Sequence, residues 1–262
     1  MARVALLDDY QDVALQMADW QSLPADTDVQ VFRDHLYDDD ALVARLHDFD
    51  MIMAMRERTP FTRRRLERLP NLKLLVTAGM RNAAIDLQAA SDCGIMVCGT
   101  EGLPYPTAEL TWALILGIMR QIPREDHAIR NGQWQVSLGL GLQGKTLGML
   151  GLGRLGSQVA TVGNAFNMKV IAWSQNLTAE RAAEYGATLV SKDELLAQSD
   201  ILTIHLVLGD RSHGLIGAGE LAQMKSTAYL VNTSRGPIVD EAALIHALEQ
   251  GAIEGAALDV FD

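Results

Sequence analysis

A chain of 262 residues, 48% hydrophobic and 21% charged, can bury a sizeable core, which excludes an intrinsically disordered protein. Its formal net charge of −11, from 22 Lys+Arg against 33 Asp+Glu, argues against a nucleic-acid binder, whose affinity rests on neutralising phosphates with a basic face. Two cysteines, Cys93 and Cys98, are too few for a disulfide scaffold, and the longest strongly apolar stretch, residues 110–119, is too short to span a bilayer.

The amino-terminal apolar run is broken by Asp8 and Asp9 and does not read as a signal peptide, so a cytoplasmic protein is expected. Short β-branched or Leu-rich runs then alternate with helical segments, the signature of parallel α/β architecture. Strands are expected over 3–7, 29–33, 51–55, 72–77 and 95–98, with amphipathic helices over 39–48 and 63–69. Asp38-Asp39-Asp40 caps the first helix, where carboxylates suit the dipole. Thr59-Pro60 reads as N-cap and N1 of the second, with Arg63-Arg64-Arg65 on a solvated face. Arg56 and Arg58 follow the third strand, where strand ends border ligand clefts, and are read either as contacts to an acidic substrate or as structural ion pairs. Cys93 and Cys98 read as small apolar packing residues, and no metal site is expected. Five such strands make a doubly wound unit of flavodoxin-like order.

Gly and Pro in residues 99–105 break the periodicity and mark a boundary, giving domains over 1–100 and 101–262. A helix over 106–119 follows, apolar around much of its circumference and so buried on more than one face. Strands are then expected over 146–151, 169–173, 188–190, 201–205, 228–232 and 256–260, six in all, matching the two mononucleotide-binding halves of a Rossmann domain.

Between the first two of these strands lies Gly151-Leu152-Gly153-Arg154-Leu155-Gly156, a complete G-x-G-x-x-G. The first glycine permits the turn, the second lets a pyrophosphate approach, and the third allows close helix–strand packing. The helix N-terminus that follows offers unpaired N–H groups to phosphate. The acidic residue that would hold the ribose hydroxyls of NAD is absent: no Asp or Glu occurs from Ser157 to Ala179, and Ser174 stands at the expected place. No arginine lies beside it to favour a 2′-phosphate, so NAD and NADP both remain open.

Further on, Val231-Asn232-Thr233-Ser234-Arg235-Gly236-Pro237 and Leu258-Asp259-Val260-Phe261, with the glycine turn and residues 74–86, resemble the D-isomer-specific 2-hydroxyacid dehydrogenase family over essentially the whole chain. The resemblance implies a substrate (catalytic) domain, an NAD(P)-binding domain and an active site in the cleft between them. It assigns Arg235 to the substrate carboxylate and keto group, a task that suits a planar, permanently charged fork. It places backbone N–H groups of Ala78 and Gly79 on the same carboxylate and a cofactor contact at Met80. By the same resemblance Arg154 and Leu155 meet the pyrophosphate, and Leu206 lines the adenosine side. Thr233, through its backbone, and Asp259 orient the nicotinamide, with Ser234 a further cofactor contact, although Asp259 also reads as a capping residue. Residues 80–84 depart from the family pattern, with Arg81 a further candidate anion contact.

The family's acid–base histidine and its supporting glutamate are expected after the Leu-Asp-Val-Phe strand, and the sequence ends at Asp262, so a longer protein is expected. The 262 residues alone are expected to bind cofactor weakly and catalyse little. His205 reads as a cofactor-pocket residue rather than a substitute acid; His35, His47, His127, His213 and His246 read as surface residues. The implied activity is hydride transfer between NAD(P)H and a small 2-keto acid, with a homodimer through the helix starting near Pro106. The alternative is an NAD(H)-binding regulator on the same fold without turnover.

Overall fold

The computed structural model describes residues 2–103 and 105–261 and divides into two compact units, Met1–Leu103 and Pro104–Asp262. The first unit runs β1 (Ala2–Leu6), β2 (Thr27–Val31), α1 (Asp39–Leu46), β3 (Met51–Ala54), α2 (Arg63–Leu66), β4 (Leu74–Thr77), α3 (Leu87–Asp92) and β5 (Met96–Gly99). All pairings are parallel, in the order β2-β1-β3-β4-β5, the flavodoxin-like arrangement read from the sequence. The β1–β2 connection carries only two one-turn 3₁₀ helices with no buried residue. Helices α1, α2 and α3 therefore share one core cluster with Phe49, Ile52, Phe61 and Leu75. The alternation along β3 and β4 buries Ile52, Ala54, Leu75 and Thr77 on that side and leaves Met51, Met53, Leu74 and Val76 half-buried.

The second unit runs α4 (Pro106–Met119), α5 (Ile122–Arg130), β6 (Thr146–Leu150), α6 (Arg154–Ala165), β7 (Lys169–Trp173), α7 (Ala179–Ala183), β8 (Thr188–Leu189), α8 (Lys192–Gln198), β9 (Ile201–Ile204), α9 (Ala218–Leu221), β10 (Tyr229–Asn232), α10 (Glu241–Glu249) and β11 (Gly255–Leu258). Its six parallel strands lie in the order β11-β10-β9-β6-β7-β8, the Rossmann arrangement with its switch point between β6 and β9. Leu147 and Met149 of β6 pack with α4 and α6 on one face, while Leu150 joins α8, β9 and β10 residues on the other. Strands β9 and β10 are buried along their whole length, which is why they read as unbroken apolar runs. Ser191 and Glu194 form a capping box on α8, and Asp240 caps α10.

Several sequence expectations are corrected. Helix α2 starts at Arg63 after Thr62, not at Thr59; Thr59 is buried and its hydroxyl donates to Asp8 Oδ2 at 2.6 Å. Arg65 is not solvated. Its guanidinium donates to Asp39 Oδ1 at 2.7 Å and to the Pro60 carbonyl at 2.6 Å, because α2 lies against the start of α1. Cys93 and Cys98 are exposed: Cys93 caps the end of α3, and Cys98 lies on β5, an edge strand. His35 is not a free surface residue: its Nδ1 lies 2.8 Å from Oδ1 of buried Asp8. The apolar helix ends at Arg120, where Gln121 turns left-handed (φ +55°) and α5 begins anew. No helix among the described residues is long and apolar enough to cross a membrane.

Candidate active site

The glycine turn leaves β6 at the carboxyl edge of the second sheet. Gly151 has φ +102°, and a Cβ there would stand 2.6 Å from the His205 carbonyl, so the position requires glycine. A Cβ on Gly156 would overlap the Gly151 carbonyl oxygen, which gives the third glycine its packing role. At Gly153 an added Cβ meets nothing within 4 Å. That residue is the N-cap of α6 and has no side-chain hydrogen bond to the first turn. Open space in front of side-chain-free helix N–H groups fits a dinucleotide pyrophosphate, and Arg154 and Leu155 begin that helix.

Strand β7 ends at Trp173, and the half-buried Ser174 follows it, its carbonyl accepting from Leu177 N–H at 3.1 Å. Arg181, the nearest downstream cation, is engaged by Glu184 and lies over the Tyr185 ring at 4.7 Å. After β9, His205 hydrogen-bonds through Nε2 with Thr203 Oγ1 at 3.0 Å. Burial pushes its pKa down to about 4, so the ring is neutral at pH 7; the residue's backbone carbonyl and Cβ border the glycine turn.

The loop after β10 is held by three side chains. The Thr233 and Thr111 hydroxyls meet at 2.8 Å, and the Ser234 hydroxyl donates to the Leu206 carbonyl. Buried Asn232 accepts from Ser234 N–H at 3.0 Å and donates to the Arg235 carbonyl at 3.0 Å. Arg235 itself is exposed, with one guanidinium N–H turned to the Ser234 carbonyl at 2.8 Å. Asp259, just past β11, donates its N–H to the Asn232 carbonyl at 3.0 Å, and partial burial pushes its carboxyl above the usual range. The second sheet thus brings Gly151, Leu206, Thr233, Ser234, Arg235 and Asp259 to one edge.

In the first unit the N–H groups of Ala78 and Gly79 are both engaged within the protein. Ala78 N–H continues the ladder onto the Ala54 carbonyl at 3.0 Å, and Gly79 N–H is taken by Thr100 Oγ1 at 2.9 Å. The next N–H groups of the turn, those of Met80 and Arg81, have no protein acceptor among the described residues. The Arg56 guanidinium lies against Gly79, so it borders this turn. Arg58 is structural: it donates to the Asp8 carbonyl at 2.7 Å and covers the Tyr10 ring. Asn82, which the sequence did not single out, donates to the Arg56 carbonyl at 2.6 Å and to Thr77 Oγ1 at 2.8 Å, tying the two loops together. Its signal was the departure at residues 80–84.

A Rossmann sheet with this turn and a strand-end arginine defines a dinucleotide-binding α/β protein. Residues 112–262 match the family model for the D-isomer specific 2-hydroxyacid dehydrogenase, NAD binding domain, and the chain belongs to that family. It is 46% identical to a glyoxylate reductase of Aeropyrum pernix over 207 residues, covering 75% of this chain and 62% of that protein. To a D-3-phosphoglycerate dehydrogenase of Archaeoglobus fulgidus it is 38% identical over 224 residues, covering 84% of this chain and 42% of the relative. Among solved structures, a phosphoglycerate oxidoreductase from Vibrio cholerae superimposes with a TM-score of 0.95 at 36% identity, over 100% of this chain and 84% of that one. The chain therefore spans less than two thirds of the length of these curated relatives.

Proposed function

We propose that the protein is a cytoplasmic reductase that converts a small 2-keto acid to a D-2-hydroxy acid with NADH or NADPH. The observation that carries this reading is Arg235, set on a pinned loop at the sheet edge from which the glycine turn also opens. Its guanidinium grips the substrate carboxylate as a planar fork and polarises the keto oxygen, where negative charge develops. The turn at Ala78 and Gly79 is the first unit's candidate carboxylate contact, the N–H groups of Met80 and Arg81 beside it having no acceptor among the described residues. Arg154 and Leu155 meet the pyrophosphate, Ser174 the ribose, Leu206 the adenosine side, and Thr233, Ser234 and Asp259 the nicotinamide. The dinucleotide, when bound, supplies the hydride. The proton donor of this reading is the histidine–glutamate pair that the resemblance implies, not His205.

Glyoxylate is the first substrate to test, because the 46%-identical relative bears that name; hydroxypyruvate and pyruvate complete the panel. In the complete protein Arg235→Ala is expected to lower turnover about a hundredfold to a thousandfold with NADH affinity retained. Equal loss of both would remove the assigned role. A binding-only regulator is not favoured, since the relatives are named as reductases and dehydrogenases.

We further propose a homodimer through α4. Ala113, Leu114, Gly117 and Ile118 of this helix line an apolar groove of about 340 Å³ with Ala256 and Ala257. Trp134 and Leu138, in the loop after α5, are 74% and 89% exposed, an apolar surface that a second copy would cover. Sedimentation as a monomer at micromolar concentration would contradict it.

A further inference from the structure

We infer that Asn232 is the positioning residue for Arg235: its buried side-chain amide fixes the backbone from which the guanidinium projects. This rests on the role proposed for Arg235. Asn232 is 1% exposed and is the last residue of β10, paired with Ile204 on one side and Leu258 on the other. Its Oδ1 accepts from Ser234 N–H and its Nδ2 donates to the Arg235 carbonyl, each at 3.0 Å. The same carbonyl accepts Ile238 N–H at 3.3 Å, closing the 3₁₀ turn at Gly236–Ile238. Thr233 and Ser234 use their hydroxyls to tie the loop to Thr111 and to Leu206, and neither side chain bonds Arg235. Asn232 alone among these three reaches the arginine's own backbone.

The chemistry is specific to a primary amide, which presents an acceptor and a donor side by side without charge. An ionised aspartate keeps the acceptor for Ser234 but sets a second oxygen against the Arg235 carbonyl. A protonated aspartate restores the donor and so copies asparagine. A misplacement of about 1 Å at a substrate-orienting group costs about a hundredfold in rate.

The test is Asn232→Asp in the complete protein, followed as the ratio of variant to wild-type kcat/KM for glyoxylate with NADH between pH 8 and pH 5. Binding of oxamate to the NADH complex is measured in parallel. At pH 8 we expect about a hundredfold loss with NADH affinity unchanged. The ratio should climb toward unity as the pH falls and the buried carboxyl takes up its proton, and oxamate affinity should follow the same course. The titratable groups on the elements around Asn232 are His205 after β9, Asp259 after β11, Glu109 on α4, and Arg235 and Glu241 beyond β10; wild type carries them all, so the ratio cancels them. If the aspartate variant does not fold, Asn232→Leu replaces it, with oxamate affinity lost at every pH and NADH affinity kept. Wild-type behaviour of either variant at pH 8 would overturn the inference. So would a pH-independent loss that weakens NADH equally. Arg235→Ala, run alongside, separates the two readings: if it leaves turnover and oxamate binding intact, the role of Arg235 fails; if only it is impaired, Asn232 alone fails.

Discussion

The hydroxyls of Thr111 and Thr233 meet at 2.8 Å in a buried contact that joins α4 to the loop carrying Arg235. Thr111 also donates to the Thr107 carbonyl at 2.7 Å. A hydroxyl has one proton to give, so Thr233 is the donor of the pair and Thr111 the acceptor. The two deletions are therefore unequal. Thr111→Val strands a buried donor and should cost ~1–3 kcal/mol, whereas Thr233→Val leaves Thr111 bonded to Thr107 and should cost ~1 kcal/mol. Urea unfolding of both variants decides it; equal costs or the reverse order would refute the proton assignment.

The glycine turn separates folding from binding within three residues. Gly156→Ala forces a methyl into the Gly151 carbonyl and should destabilise the protein by ~1–3 kcal/mol. Gly153→Ala meets no atom within 4 Å, so its thermal midpoint should stay at the wild-type value. On the proposed reading the new methyl nevertheless stands where the pyrophosphate approaches the backbone, and NADH affinity should fall about tenfold or more. Unchanged NADH affinity in Gly153→Ala, read by fluorescence titration, would mean that the pyrophosphate lies elsewhere.

What was legible in the sequence was local. The alternation of β3 and β4, the unbroken runs of β9 and β10 and the G-x-G-x-x-G turn all follow from neighbours in the chain, and both strand orders came out as read. What escaped was built from distant residues. Asp8, His35 and Thr59 converge across 27 and 51 positions with no periodic signal between them. Arg65 was masked by its exposed neighbour Arg64; both reach Asp39, and burial with a bond to the Pro60 carbonyl sets Arg65 apart. The engagement of the Ala78 and Gly79 N–H groups was hidden as well, because the β3–β4 ladder extends one residue past the strand and Thr100, from another loop, claims Gly79. Asn232 stood within a motif noticed for its arginine, and its task became visible only once both ends of its amide had partners.

His205 makes the protein less stable in mild acid. Burial holds its folded pKa at about 4, against an ordinary histidine value of 6.5 in the unfolded chain. Between those values the unfolded state binds more protons, so stability rises with pH through the window and is lost as the pH falls from about 6.5 to about 4. Between pH 7 and pH 5 the loss should reach about 2 kcal/mol. The carboxylates held low by cationic partners, such as Asp50 beside Lys73 and Asp39 beside Arg65, act in a different range. Their contribution is lost only as the pH falls below the usual carboxylate range, about 3.9. His205→Gln should therefore flatten the dependence between pH 7 and pH 5 in urea unfolding while leaving the steeper loss below pH 4 in place. A variant as acid-sensitive as wild type in the upper window would show that His205 titrates as an ordinary histidine in the folded protein.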